Sequence, residues 1–239
     1  MKNIAIIPAR SGSKGLIDKN IKLLNGKHLL SYTVEAALES NMFDCVYVST
    51  DSQGYAELAI KYGASVPFLR SNELASDTAS SWDSAKYTID KFEQLGEHFD
   101  TVALLQPTSP LRTAQDIVNA YSIYKDRNAK VVISVCEMDH PPLWSNLLPE
   151  NLCMENFILP ENNVRRQELP VYYRENGAIF LVDREIVMQD QNIYGAYSFA
   201  YVMDKNSSID IDDNFDFQFA EMIMKDNIKG SIQKSSMKI

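Results

Sequence analysis

NIAIIPARSGSKG, residues 3–15, sets an apolar run of strand length directly against a loop of small, flexible and cationic residues. Ile4 to Ile7 carries no polar alternation, so it reads as a strand buried on both faces, and Pro8 ends it. Runs of the same kind recur at Cys45 to Val48, Val66 to Leu69, Val102 to Leu105 and Val131 to Val135. Between them, Leu30, Val34, Ala37 and Leu38 share one helical face, as do Ile117, Ala120, Tyr121 and Tyr124. Strands that alternate with helices predict an α/β domain, with a mostly parallel central sheet covered by helices on both sides. In such sheets ligands bind at the carboxyl ends of the strands, so the loops there should carry the chemistry.

The 239 residues are 45% hydrophobic and 23% charged, a composition that excludes disordered, collagen-like and coiled-coil chains. A net charge of −9 argues against a protein built to hold nucleic acid, and any anionic ligand must meet a local cationic patch. No apolar run approaches a membrane span, and the run after Asn3 is too short for a secretion signal, so the expected compartment is the cytoplasm, away from membranes. Cys45, Cys136 and Cys153 are odd in number and lack metal-ligand spacing, which fits a reducing environment. His28, His98 and His140 show no ligand spacing either.

From His140 to about Pro170 the regular pattern lapses among Pro141, Pro142, Pro149, Pro160 and Pro170, followed by extended segments at Val171 to Val182 and Tyr197 to Met203. We read residues 140–200 as an insertion on a single domain covering 1–239. After the acidic turn Ser208-Ile209-Asp210-Ile211-Asp212-Asp213, the spacing of Phe215, Phe219, Met222 and Ile223 predicts a closing amphipathic helix.

The first loop combines Ala9, Arg10, Ser11, Gly12, Ser13, Lys14 and Gly15 with Lys19 and Asn20. Glycines let backbone N–H groups approach phosphate oxygens, and Arg10 and Lys19 add charge and directed donors. Neither the Walker spacing nor the dinucleotide fingerprint is present, so the loop is a phosphate cradle of another kind or a solvated basic turn. Arg70, Asp77 and Ser81 follow the third apolar run, where Asp77 or Thr78 reads as a helix cap. Gln106-Pro107-Thr108-Ser109 leaves the fourth run, and the neutral amide of Gln106 can orient a hydroxyl but cannot take its proton. Asp210 and Asp212 flank Ile211, so an extended backbone projects both carboxylates from one face, as shared coordination of a hard cation requires; the alternative is an acidic helix cap.

The strings IIPARSGSKG with Lys19-Asn20, VSTDS at 48–52, LRSNELASDTASS at 69–81, LLQPTSPLRT at 104–113, YRENGAIFL at 173–181 and SIDIDD at 208–213 together resemble the acylneuraminate cytidylyltransferases, the CMP-sugar synthetases of nine-carbon acidic sugars. The resemblance covers nearly the whole chain. It implies a Rossmann-like nucleotidyltransferase fold and a magnesium-dependent reaction of CTP with an α-keto acid sugar, such as N-acetylneuraminic, legionaminic or pseudaminic acid, giving the CMP-sugar and pyrophosphate.

By the same resemblance Ala9, Arg10, Ser11, Gly12, Ser13, Lys19, Asn20, Arg70, Asp77, Ser81, Thr108 and Ser109 hold CTP. Arg10, Lys19, Gln106 and Asp212 serve catalysis, and Asp210 and Asp212 bind the metal. Gln106, Arg166, Arg174, Phe180 and Tyr194 line the sugar pocket, and residues 140–200 serve dimerisation of a homodimer. Two departures concern the sugar. Many sialic acid synthetases carry Pro-Leu-Lys where this chain has Pro142-Leu143-Trp144, and an aromatic pair contributed by the partner subunit appears here as Ile193-Tyr194. A CMP-synthetase for the eight-carbon acid KDO and a catalytically silent nucleotide binder of the same fold are the alternatives.

Overall fold

The computed structural model describes residues 1–12, 15–71, 73–75 and 80–236, with side chains through residue 226. Ser13 and Asp77, two of the expected CTP contacts, lie outside the described residues. In chain order the elements are β1 (Asn3–Pro8), a small hairpin of β2 (Leu23–Leu24) and β3 (Lys27–His28), α1 (Leu29–Glu39), β4 (Cys45–Ser49), α2 (Gln53–Lys61), α3 (Ser81–Gln94), β5 (Thr101–Leu104), α4 (Ala114–Asp126), β6 (Val131–Glu137), β7 (Tyr173–Asp183), α5 (Arg184–Met188), β8 (Ser198–Val202) and α6 (Asn214–Ser236).

The central sheet runs β4-β1-β5-β7-β6-β8. β4, β1 and β5 are parallel, β8 is parallel to β6, and β7 alone runs antiparallel to its neighbours β5 and β6. Ile4 to Ile7 are all 0% exposed, and their alternation feeds two layers. Ala5 and Ile7 pack with Leu30 and Val34 of α1, Tyr55 and Ala59 of α2, and Ile117, Ala120 and Tyr121 of α4. Ile4 and Ile6 pack with Ala85, Ile89 and Phe92 of α3 and with Ile186 and Val187 of α5. Each such isoleucine contributes roughly 1.5–3 kcal/mol of burial, which explains why the run has no polar position.

Three expectations are corrected. Val66 to Leu69 is not a strand: Ser65 bridges Tyr47, and Pro67, with no N–H to donate, stops the ladder there. Val66 and Phe68 still pack on the core, so the run is apolar for burial without being paired. The cap of α3 is Ser80, in a reciprocal capping box with Asp83, rather than Asp77 or Thr78. On α6 the inward side chains are Phe217 and Ala220, which join Leu24, Leu29 and Ile211, while Phe215, Phe219 and Met222 are 74%, 40% and 52% exposed. The spacing of those three residues is helical, but they form the outer face.

The stretch read as an insertion divides in two. Residues 138–172 are irregular apart from short 3-10 turns, whereas β7 and β8 are integral strands of the central sheet.

Candidate active site

The carboxyl ends of β1, β4 and β5 bring their loops together at one edge of the sheet. Ala9 is fully buried and its amide donates to the Ser49 carbonyl at 2.9 Å, so it continues β1 instead of reaching a ligand with its N–H. Ser11 is held by Asp51, which accepts the Ser11 amide at 2.8 Å and its hydroxyl at 2.6 Å. Burial alone would raise the Asp51 carboxyl, but these two bonds, with its own main-chain amide and the Arg70 charge, together hold the group below its ordinary range. Asn20 is buried and donates to the Arg10 carbonyl at 3.2 Å, so it braces the loop from behind. Gly12 takes φ +73°, a left-handed turn that glycine adopts without strain. Arg10 Nη1 reaches the Ala75 carbonyl at 3.4 Å, which ties the first loop to the segment after Arg70.

The other end of the loop meets the acidic turn. A Cβ on Gly15 would lie 2.7 Å from the Asp212 carbonyl oxygen, a backbone contact that only glycine permits. Lys19 Nζ donates to the Ile211 carbonyl at 2.7 Å and to Asp212 Oδ1 at 3.1 Å. Ile211 is buried between two aspartates that have different tasks from the two beyond it. Asp213 accepts the amides of Phe215 and Asp216, and Asp216 accepts those of Asp212 and Asp213. The capping of α6 therefore falls to Asp213 and Asp216, which removes the cap reading for Asp210 and Asp212. Among the described residues Asp210 Oδ1 is buried with no partner, and burial foremost, with the Asp212 charge, pushes its carboxyl up against the pull of Thr108, Lys19 and Arg174. An orphaned carboxylate oxygen beside a second carboxylate is a donor set that suits magnesium, which needs only one or two carboxylates besides phosphate and water.

Gln106 leaves β5 with its carbonyl accepting from Ser109 N at 3.3 Å and Arg112 Nη1 at 3.3 Å. Arg112, 2% exposed, also donates to the Ala178 carbonyl at 2.9 Å, and burial lowers its guanidinium to about 10, still a cation at neutral pH. Ser109 is fully buried and its hydroxyl donates to the Asn176 carbonyl at 3.3 Å, so its side chain fixes the loop. Thr108 sits beside the acidic turn, its carbonyl accepting the Ile211 amide at 2.8 Å. Asn176, 1% exposed, binds Ser134 at 2.6 Å and Ser208 at 2.9 Å, which anchors the start of the acidic turn to the sheet. Asp51, Arg112, Asn176 and Gly177 were not singled out from the sequence. Their signal is polar or glycine residues inside otherwise apolar or motif strings, and their partners are remote in the chain.

Arg70 is 7% exposed, with Nη1 on Ser84 Oγ at 3.1 Å and, among the described residues, Nε and Nη2 buried without partners. Burial pulls its pKa below the ordinary arginine value, and the Asp51 charge opposes that shift. Ser81 is the first residue of α3 and is half-buried.

The expected sugar residues separate. Arg174 is exposed, with Nη1 donating to the Glu175 carbonyl at 3.1 Å, and its charge is the smallest of the influences that lower the Asp210 carboxyl. Arg166 is exposed and paired with Glu137 at 3.0 Å, and Tyr194 is exposed with its hydroxyl on Glu175. Phe180 is 8% exposed, within the core, edge-on to Trp82 at 5.9 Å. Trp144 donates its indole N–H to the Asn162 carbonyl at 2.9 Å and so staples the irregular segment.

A sequence model described as cytidylyltransferase matches residues 4–228. The chain belongs to the cytidylyltransferase family. Among its relatives, this cytidylyltransferase-family chain is 42% identical over 225 residues to an N-acylneuraminate cytidylyltransferase of Escherichia coli, covering 94% of this chain and 52% of that one. It is 37% identical over 234 residues to a CMP-N,N'-diacetyllegionaminic acid synthase of Legionella pneumophila, covering 95% of this chain and 98% of that one. The chain thus spans about half the length of the first relative and nearly all of the second. A CMP-2-keto-3-deoxy-manno-octonic acid synthetase solved with CTP has the same fold, with a TM-score of 0.72 at 16% identity, covering 95% of this chain and all of that one.

Proposed function

We propose that this chain transfers the cytidylyl group of CTP to a nine-carbon α-keto acid sugar, releasing pyrophosphate. The observation that carries this is the Lys19 bridge, which sets a cationic, glycine-bearing loop against the paired Asp210 and Asp212 at the edge where Gln106 leaves β5. The family membership and the relatives named above support the same reaction.

In this reading Arg10 and Lys19 take the triphosphate oxygens together with Ser11, Gly12, Ser13 and Asn20 of the same loop, and Asp77 belongs to the segment that meets the nucleoside. Arg70 and Ser81 take the cytosine and its ribose, since the two unpaired Arg70 donors match acceptors on a base edge. Asp210 and Asp212 would hold magnesium, which when bound offsets phosphate charge and acidifies a nearby hydroxyl. Gln106 orients the acceptor hydroxyl without taking its proton, and Arg174 meets the sugar carboxylate with its planar fork. The sugar oxygen forms a bond to the α-phosphorus as the bond to the β-phosphate oxygen breaks, and pyrophosphate departs toward Arg10 and Lys19. A reaction that consumes CTP belongs in the cytoplasm.

Pyrophosphate release with CTP and magnesium tests this against N-acetylneuraminic, legionaminic, pseudaminic and KDO acids in parallel. Turnover with one nine-carbon acid and none with KDO is expected; CTP binding without release for any acid would leave the silent-binder alternative standing in its place.

The same proposal includes a homodimer. Residues 138–172 expose Leu147, Leu148, Leu152 and Met154 at 90%, 55%, 68% and 58%, apolar surface that a second copy would cover. Sedimentation should give twice the chain mass, with Leu147→Asp plus Leu152→Asp shifting it to one; a parent that already sediments as a monomer refutes the dimer.

A further inference from the structure

Gln106 is fastened by its main chain, and its side chain ends in a carboxamide that lies at Gly177. Its carbonyl is held by Arg112, whose other bond, to the Ala178 carbonyl, ties the β5 exit loop to β7. Its amide group lies against Gly177, where a Cβ would stand 2.4 Å from Oε1, 3.1 Å from Cδ and 3.7 Å from Nε2. Gly177 takes φ +72° inside the strand, at the point where β7 places Asn176 to Ile179 against the single residue Ser134 of β6. This bulge is what turns the β7 backbone toward the β5 exit.

The neighbouring residues of the bulge all have structural partners. Asn176 binds Ser134 and Ser208, and the Ala178 carbonyl accepts from Arg112. Gly177 contributes neither a side chain to the core nor a polar group to that network. Its distinguishing property is the space it leaves, and Gln106 fills that space.

We propose that Gly177 is a positioning residue: the bare Cα at this bulge sets the direction in which the Gln106 carboxamide presents itself to the acceptor hydroxyl. The inference rests on the reading of Gln106 given under Proposed function. Because Arg112 and Ser109 pin the Gln106 main chain, a methyl group at 177 moves the carboxamide, the one part able to yield. A small displacement of an orienting group lowers the population of reactive geometries without removing binding.

The test is a kinetic cycle of Gln106→Ala, Gly177→Ala and the double variant, with melting temperatures for each. Gln106→Ala should lower kcat roughly 100-fold and Gly177→Ala roughly 10-fold, with KM for CTP unchanged. In the Gln106→Ala background the Gly177→Ala change should cost kcat nothing further. The melting temperature should fall on introducing Gly177→Ala in both backgrounds, because the left-handed φ strains any alanine. Gly177→Asn carries the same Cβ on a residue that accepts this φ, and keeps the cycle readable if the alanine variant folds poorly. An equal kcat loss from Gly177→Ala with and without the Gln106 side chain would make the glycine merely structural. A normal kcat for Gly177→Ala beside a crippled Gln106→Ala would sink this inference alone, whereas a normal Gln106→Ala would sink the reading beneath it as well.

Discussion

Asp212→Ala is expected to lower kcat roughly 1000-fold in the pyrophosphate assay, while circular dichroism and the melting temperature stay close to the parent's. The carboxylate is 80% exposed and its pairing with Lys19 is a solvent-screened contact, so the fold does not depend on it. The helix it precedes is capped by Asp213 and Asp216, and both bonds to the Asp216 carboxylate come from main-chain amides that alanine retains. What the substitution removes is the carboxylate that meets the first loop through Lys19, the second of the two bonds that hold Lys19 Nζ. Asp210→Asn gives the contrast from the same turn. It should lose comparable activity yet melt above the parent in the absence of magnesium, because Asp210 Oδ1 is buried without a partner and the neutral amide carries less desolvation cost, about 1 kcal/mol. Retention of more than a tenth of the parent kcat by Asp212→Ala would remove that residue from the reaction.

The two aspartates show what a sequence can and cannot disclose. Their alternation about Ile211 marks the buried position, because Ile211 is the apolar residue between them and is fully buried, but it does not disclose that Asp212 is 80% exposed while an oxygen of Asp210 is buried. Which aspartates cap the helix was not legible, since four carboxylates lie within seven residues and only the bonds of Phe215 and Asp216 to Asp213 decide it. The same division runs through the fold. Ile4 to Ile7 announced a doubly covered strand because both faces demand apolar residues, whereas Val66 to Leu69 satisfied the same pattern and failed at Pro67, where the missing N–H mattered more than the hydrophobicity. On α6 the helical spacing of Phe215, Phe219 and Met222 was correct, but periodicity does not say which of two apolar stripes faces inward. Asn176, Gly177 and Arg112 were hidden for a different reason: Arg112 meets the Ala178 carbonyl across 66 residues of chain and Asn176 meets Ser134 across 42, distances over which no local pattern carries a signal.

Arg70→Ala is expected to raise KM for CTP roughly 100-fold, with a smaller change in kcat at saturating nucleotide. The guanidinium is buried and bonded to Ser84 Oγ at 3.1 Å, and among the described residues two of its nitrogens have no acceptor. Such an arrangement is costly in the empty site, as the lowered pKa of Arg70 records, with burial the leading cause. A ligand that supplies acceptors to Nε and Nη2 recovers that cost in both ground and transition states, which is the signature of uniform binding and therefore of KM. Lysine should not rescue, because a single ammonium cannot reproduce the fork of a guanidinium. If the acceptors belong to the pyrimidine base, the ratio of kcat/KM for CTP over UTP should fall together with affinity, since the two bases differ at a hydrogen-bonding edge and not in size. A variant that loses affinity for both nucleotides equally would move Arg70 from the base to the ribose or phosphates, and one that binds CTP as the parent does would leave its two buried donors facing no ligand at all.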